Sequence, residues 1–262
     1  MSKLSQIFQK FKAVSECASE AFFPTDIKCI SCDYELCHDN KYGLCDKCSL
    51  PFNLVFCRVC GSNIDGIATV CEFCRQENKA YEVARAPLLY RDKVADLIRK
   101  FKFGRKKYLA KFFAQFLADC YHKNNFKVDF ATFVPVHKSK LKQRGFNQSQ
   151  LVAEYFASLV GLGLVDCFDK FVQHQDTARL TREQRIATIV GAMQLKPQVK
   201  DFLKYKTVLI VDDVFTTGTT VNQLSKILKQ SGAFKVYVLT IATGTALVIE
   251  QNERRSVEEF LQ

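Results

Sequence analysis

The chain has 262 residues, 48% of them hydrophobic, which gives room for one sizeable packed core plus a small appendage and excludes general disorder. Lys and Arg outnumber Asp and Glu by 38 to 27, and the surplus is concentrated: between Arg85 and Gln150 stand 16 basic and 4 acidic side chains. A basic band interleaved with Phe and Tyr suits phosphate-rich partners, nucleic acid first among them, although a solubilising surface explains the charge alone equally well.

At the N-terminus Lys3, Lys10 and Lys12 interrupt any apolar run, so no secretory signal is expected. No stretch reaches the ~18 apolar residues that a membrane span needs. Ile7, Phe8, Phe11 and Val14 recur at helical spacing, and residues 1–28 are read as an amphipathic segment that packs on its own protein. The expected location is cytoplasmic, and that governs the reading of the twelve cysteines.

Eight cysteines form four CxxC pairs: Cys29/Cys32, Cys45/Cys48, Cys57/Cys60 and Cys71/Cys74. Two residues between thiols let one tight turn aim both sulfurs at a single tetrahedral ion, and two such turns complete a four-thiolate zinc site. The surrounding sequence is poor in large aliphatics, so metal binding would supply most of its folding free energy. Disulfides are disfavoured in a reducing compartment, and a redox CxxC would not occur four times. Two zinc ions and a double ribbon over residues 29–80 follow. Sequential and crossed pairings both fit the spacing. Cys37 and His38 lie inside the first ribbon and could replace a ligand but are preferred as bystanders, and Cys17, Cys120 and Cys167 are read as isolated core or surface thiols. With every ligand position filled by thiolate the ribbons look structural, although Lys47, Arg58 and Arg75 would suit a partner-binding module.

From about Ala84 the composition is that of an α/β domain, assigned to residues 81–245. Arg85 to Tyr90 reads as a strand. Val94, Leu97, Ile98 and Phe101 predict a helix stopped by Gly104, and Leu109 to Cys120 a second one with a strong apolar stripe. Val128 to Val136 predicts a strand, followed by a basic run and a helix through Leu151 and Leu159 capped by Asn147 or Ser149. Thr181 to Val190 predicts a helix bearing Arg182 and Arg185. Val208 to Val211 is an aliphatic run of the kind buried in parallel sheets, Val221 to Leu228 a helix closed by Gly232, and Phe234 to Ile241 a further strand. Strand, helix and strand at this spacing predict a doubly wound parallel sheet. Residues 246–262 are polar and read as a tail.

Between the aliphatic run and the next helix stand Asp212, Asp213, Val214, Phe215, Thr216, Thr217, Gly218, Thr219 and Thr220. Unpaired amides and the dipole at a helix start favour an anion, hydroxyls add donors, and Gly218 permits close approach of the backbone to a phosphate. Paired carboxylates at the carboxyl edge of a sheet can accept hydrogen bonds from vicinal sugar hydroxyls and help hold Mg2+ on a diphosphate. Helix capping by acids and threonines is the plainer alternative, and it leaves the joint pattern unexplained.

This loop resembles the phosphoribosyl-pyrophosphate (PRPP) signature of type I phosphoribosyltransferases. Together with the four CxxC pairs it resembles the ComF family of competence proteins, ComFC and GntX-like, over about residues 20 to 243. PVHKSKLKQRGFNQ (135–148) matches that family's basic segment, and LTREQR (180–185) with Gly191-Ala192 its later one. The chain departs from the family pattern at His137, Thr177, Thr188 and Met193. The resemblance implies a type I phosphoribosyltransferase domain in which Asp212 and Asp213 hold ribose hydroxyls and Thr216 to Thr220 the 5′-phosphate. His137, Lys138, Lys140, Lys142, Arg144, Arg182 and Arg185 are candidates for diphosphate or DNA. It further implies a competence protein that binds PRPP with Mg2+ and handles single-stranded DNA beside a ComFA-type helicase. A working phosphoribosyltransferase with a nitrogenous acceptor is the other reading. No general base is identifiable from sequence.

Overall fold

The computed structural model describes residues 28–36, 41–64, 68–170 and 193–244. The expected N-terminal helix, Cys17, Cys37-His38, the helix with Arg182 and Arg185, Thr177, Thr188 and the 246–262 tail lie outside them. The chain divides into two units, 1–49 and 50–262. In the first, Lys28 and Glu35 form an antiparallel bridge, and Cys29 N–H donates to the Tyr34 carbonyl at 2.7 Å. That is the tight turn the first CxxC requires.

The second unit is built on a parallel sheet. Its strands are β1 (Val83–Arg85), β2 (Leu88–Leu89), β3 (Phe130–Phe133), β6 (Thr207–Phe215) and β7 (Lys235–Thr243), in the order β1-β7-β6-β3 with β2 also on β7. β4 (Phe168–Lys170) and β5 (Met193–Leu195) form a separate antiparallel pair. The helices are α1 (Glu72–Gln76), α2 (Asp92–Phe103), α3 (Leu109–Lys123), α4 (Lys138–Arg144), α5 (Gln148–Val160) and α6 (Thr219–Gln230). Helices α3 and α5 pack together, with Tyr121 of α3 edge-on to Phe156 of α5, α3 against β7 and α5 against β6 and β3, and Phe113, Phe116 and Phe156 are fully buried. Leu224 and Leu228 of α6 pack in one cluster with Val208, Ile210, Val236 and Val238. The aliphatic runs of β6 and β7 therefore sit in the core, as parallel strands must.

Three elements differ from their sequence expectation for physical reasons. The strand expected from Arg85 to Tyr90 is two short strands on the same edge of β7, because Pro87 has no N–H to give the ladder. β3 is shorter than Val128 to Val136. Asp129 and Val134 still donate to Thr207 and Val211 of β6, and Pro135 then ends the pairing. β6 is longer: Asp212, Val214 and Phe215 continue to pair with Thr240, Ala242 and Thr243. The two acids thus lie inside the strand, just past the last β3 partner pair, Phe133 and Val211.

The second knuckle pair belongs to this unit. Cys57 and Cys60 are buried in the same cluster as Ala84 and Val208, and Ala84 N–H donates to the Val59 carbonyl at 2.8 Å. Gly61 makes this contact possible. It has φ +69°, and a Cβ on it would stand 2.5 Å from the Ala84 carbonyl oxygen.

Candidate functional site

The basic segment and the acid-hydroxyl loop, distant in sequence, converge at the carboxyl end of β3 and β6. Asn147 is the hinge of this convergence. Its side-chain oxygen caps α5 by accepting from Ser149 and Gln150 N–H groups, and its amide donates to the Val134 carbonyl at 3.0 Å. The cap places Ser149, whose hydroxyl donates to Asp212 Oδ1 at 2.8 Å. Arg144, at the end of α4, donates to Gln148 Oε1 at 2.9 Å and stacks over the Phe103 ring. From the last turn of α2, Lys102 Nζ reaches Asp213 Oδ2 at 3.1 Å, with only 11% and 9% of the two side chains exposed.

The two carboxylates are thereby driven apart electrostatically. Burial, then the charge of Asp213, pushes Asp212 up to about 7, against the bonds from Ser149 and the Asp213 N–H. Burial also works against Asp213, but Lys102 and Arg144 outweigh it and hold that carboxyl below its usual range. Lys170 on β4 is also in this field: burial, then Lys140, lowers its pKa, and Asp212 opposes them.

Beyond Phe215 the chain turns through Thr216 and Thr217 into α6. Gly218 is the N-cap, with φ +73°, and a Cβ there would sit 2.4 Å from the Phe215 ring. Thr217 Oγ1 and Thr219 Oγ1 lie 2.8 Å apart, and Thr220 is half-buried in the first turn. The Val214 N–H donates back to Asp213 Oδ1 at 2.6 Å. The amides and hydroxyls at the start of a twelve-residue helix suit an anion, while the acids suit neutral hydroxyls or a cation.

The other candidates fall on and around α4. Lys138 and Lys142 are exposed on it, as is Lys140. His137 is its N-cap, accepting from Ser139 N–H at 3.1 Å, so this ring already has a structural task. Sequence reading missed Lys102, Gln148, Ser149 as an acid partner, and Lys170. Of these only Ser149 carried a signal, through its place at a helix start.

The eight paired cysteines gather as two tetrads, Cys29/Cys32/Cys45/Cys48 and Cys57/Cys60/Cys71/Cys74, the sulfurs of each all within 4.8 Å of one another. Sequential pairing is therefore what the fold gives. Cys32 and Cys45 sulfurs are 3.6 Å apart, and Cys60 and Cys71 sulfurs 3.7 Å. A tetrahedron of sulfurs around zinc has edges of about 3.8 Å, whereas a disulfide would need about 2.05 Å. Burial pushes the Cys29 and Cys57 thiols up, but backbone N–H groups aimed at the sulfurs outweigh it and bring them down to about 6 and about 7. Cys60 goes the other way: burial, with the charges of Cys57 and Cys71, pushes it up to about 11. A divalent ion relieves that repulsion, so the donor set fits and each tetrad could hold one zinc ion. Cys120 and Cys167 stand apart from both, raised to about 11 chiefly by burial.

No family model matches the chain. It is 28% identical over 224 residues to Competence protein F of Haemophilus influenzae, spanning 83% of this chain and 97% of that one. It is 26% identical over 202 residues to Competence protein ComFC of Streptococcus pneumoniae, spanning 76% and 86%. Along most of its length the chain is similar to these two competence proteins. Among solved structures, the match to a hypoxanthine phosphoribosyltransferase from Staphylococcus aureus covers 53% of this chain and 65% of that one, at 13% identity and TM-score 0.34. Among the described residues, no helix is long and apolar enough to cross a membrane.

Proposed function

We propose that this protein acts in natural transformation as a binding protein: PRPP, with Mg2+, at the β6–α6 loop, and single-stranded DNA on the basic band. The observation that carries the ligand reading is the joint built around Asn147, which brings Ser149, Gln148 and Arg144 to Asp212 and Asp213 beside a hydroxyl-lined helix start. Asp212 and Asp213 would accept from the ribose hydroxyls and help hold Mg2+. Thr216 to Thr220 would take the 5′-phosphate, and Arg144 would face the diphosphate. Zinc in both tetrads, a cytoplasmic setting and a ComFA-type helicase partner complete the reading; the competence relatives support the role in transformation.

Calorimetry with PRPP and Mg2+ tests it. Wild type binds, and Asp213→Asn weakens binding by about 10-fold or more, since charged hydrogen bonds contribute roughly 1.5–3 kcal/mol. Equal affinity for both proteins removes the acids from the site. Single-stranded DNA affinity should fall steeply between 50 and 200 mM salt, with slope close to −0.7 per phosphate neutralised. A flat response would exclude the basic band as a DNA surface.

A second reading, transfer of the ribose phosphate to a nitrogen nucleophile, is favoured by one observation. A carboxylate that titrates near neutrality, Asp212, can accept a proton where the sequence offered no base. Release of diphosphate with some acceptor, lost in Asp212→Asn, is its expected result. A broad acceptor panel that releases none while PRPP still binds would exclude it.

A further inference from the structure

The second cysteine tetrad reaches beyond its own knuckles. A cavity of about 340 Å3 opens between the segment that follows Cys71 and the start of α6, lined by Phe73, Asn78 and Lys79 on one side and by Thr217, Thr219 and Lys226 on the other. Phe73 lies inside the Cys71/Cys74 pair, so metal held by those sulfurs fixes its place directly. Lys79 stands 3.8 Å over the Phe73 ring and 3.0 Å from Glu77 Oε2, and its side chain is only 4% exposed. Its charge is thus built into the wall instead of extending into solvent. The segment is clamped on either side of the loop, to α6 and to the end of β6. Ala80 N–H donates to Asn222 Oδ1 at 2.8 Å, and Tyr81 meets the Phe215 ring edge-on.

Resting on the reading of the loop as a sugar-phosphate site, we infer that the second tetrad supplies one wall of that site. Lys79 is a phosphate-binding cation contributed by the metal knuckle, and metal loading at Cys57/Cys60/Cys71/Cys74 sets phosphate affinity. The amides and hydroxyls at the start of α6 hold the phosphate from below, and Lys79 and Lys226 neutralise it from the side. An ammonium has three donors, so Lys79 binds a phosphate oxygen without leaving Glu77. When the tetrad loses its ion, the four sulfurs no longer tie α1 to the Cys57/Cys60 turn that is anchored on β1. The wall carrying Phe73 and Lys79 then loses its support.

The test uses the full chain, with PRPP and Mg2+ titrated by calorimetry and zinc measured by atomic emission on the same samples. Lys79→Met keeps the packing over Phe73 and removes the charge. It should retain the wild-type zinc content and weaken PRPP by about 10-fold. Lys229→Met, the same charge change at the far end of α6, should bind as wild type does. Cys74→Ser should lose one zinc equivalent and weaken PRPP at least as far as Lys79→Met. Because Cys74→Ser also removes a fold element, Lys79→Met carries the decision. If Lys79→Met binds like wild type, or if Lys229→Met is equally impaired, the wall assignment is overturned while the sugar-phosphate site stands. If wild type takes up no PRPP, the sugar-phosphate reading falls, and this inference with it.

Discussion

Lys102→Met should lower the stability of the protein by about 3–5 kcal/mol, the range seen when one member of a buried ion pair is removed and the other remains. In a unit of this size that is roughly 10 °C of melting temperature. The cause is the state in which Asp213 is left. In wild type its carboxylate, 9% exposed, has Lys102 Nζ at 3.1 Å, and that charge with Arg144 holds it ionised despite burial. Without the ammonium the buried carboxylate keeps the Val214 N–H and the Arg144 charge but loses its ion-pair partner, so it must bear more of its desolvation cost or take up a proton. The loss should therefore be largest at neutral and alkaline pH and shrink in acid, where protonation relieves it. The sign follows from linkage. A depressed carboxyl contributes stability above its unfolded pKa and loses it as pH falls, and Lys102→Met removes that contribution. Lys102→Met/Asp213→Asn should recover part of the loss, which isolates the pair from the packing of α2. Thermal melts across pH 4 to 8 decide the matter. A single variant within 1 kcal/mol of wild type, or a double variant worse than the sum of both, would show that Lys102 does not hold Asp213.

Much of the fold was legible because its signals are local. The β6 and β7 runs are unbroken aliphatics, the stripe of α3 repeats at helical spacing, and each CxxC pair sets its own turn. What was not legible arises from contacts across the chain. Helix α4 has the sequence KSKLKQR, almost devoid of apolar spacing, and it forms because His137 caps one end and Gly145 closes the other. The length of β6 past Val211 is decided by β7, not by its own residues. Lys102 sits on the last turn of an ordinary amphipathic helix. Nothing in its neighbourhood marks it as the partner of an acid more than a hundred positions later. The docking of the second knuckle on β1 uses the Val59 carbonyl, the Arg58 carbonyl that accepts from Arg85, and the close approach of Gly61 to Ala84. The close approach of Gly61 to Ala84 became visible only in three dimensions.

The same electrostatics give the ligand site its own pH dependence. Asp212 is pushed up to about 7 by burial and by Asp213, and only its ionised form accepts two hydroxyls or a metal. PRPP affinity should thus be level above about pH 7.5 and fall towards tenfold per unit below about pH 6.5. The ligand's phosphates titrate near 6, so the diagnostic quantity is the position of the break in a variant relative to wild type. Ser149→Ala supplies it. The Ser149 hydroxyl donates to Asp212 at 2.8 Å and favours the anion, so its removal raises the Asp212 pKa and moves the break to higher pH. Stability should respond with the opposite sense to that of Asp213. A raised carboxyl contributes stability at low pH that is lost as pH rises from the unfolded value near 4 through about 7, so Asp212→Asn should flatten that part of the profile. Opposed slopes from adjacent acids follow from one being buried against a lysine and the other against a like charge. Binding curves for wild type and Ser149→Ala that break at the same pH would place Asp212 outside the ligand's reach, since no change in the ligand distinguishes the two proteins.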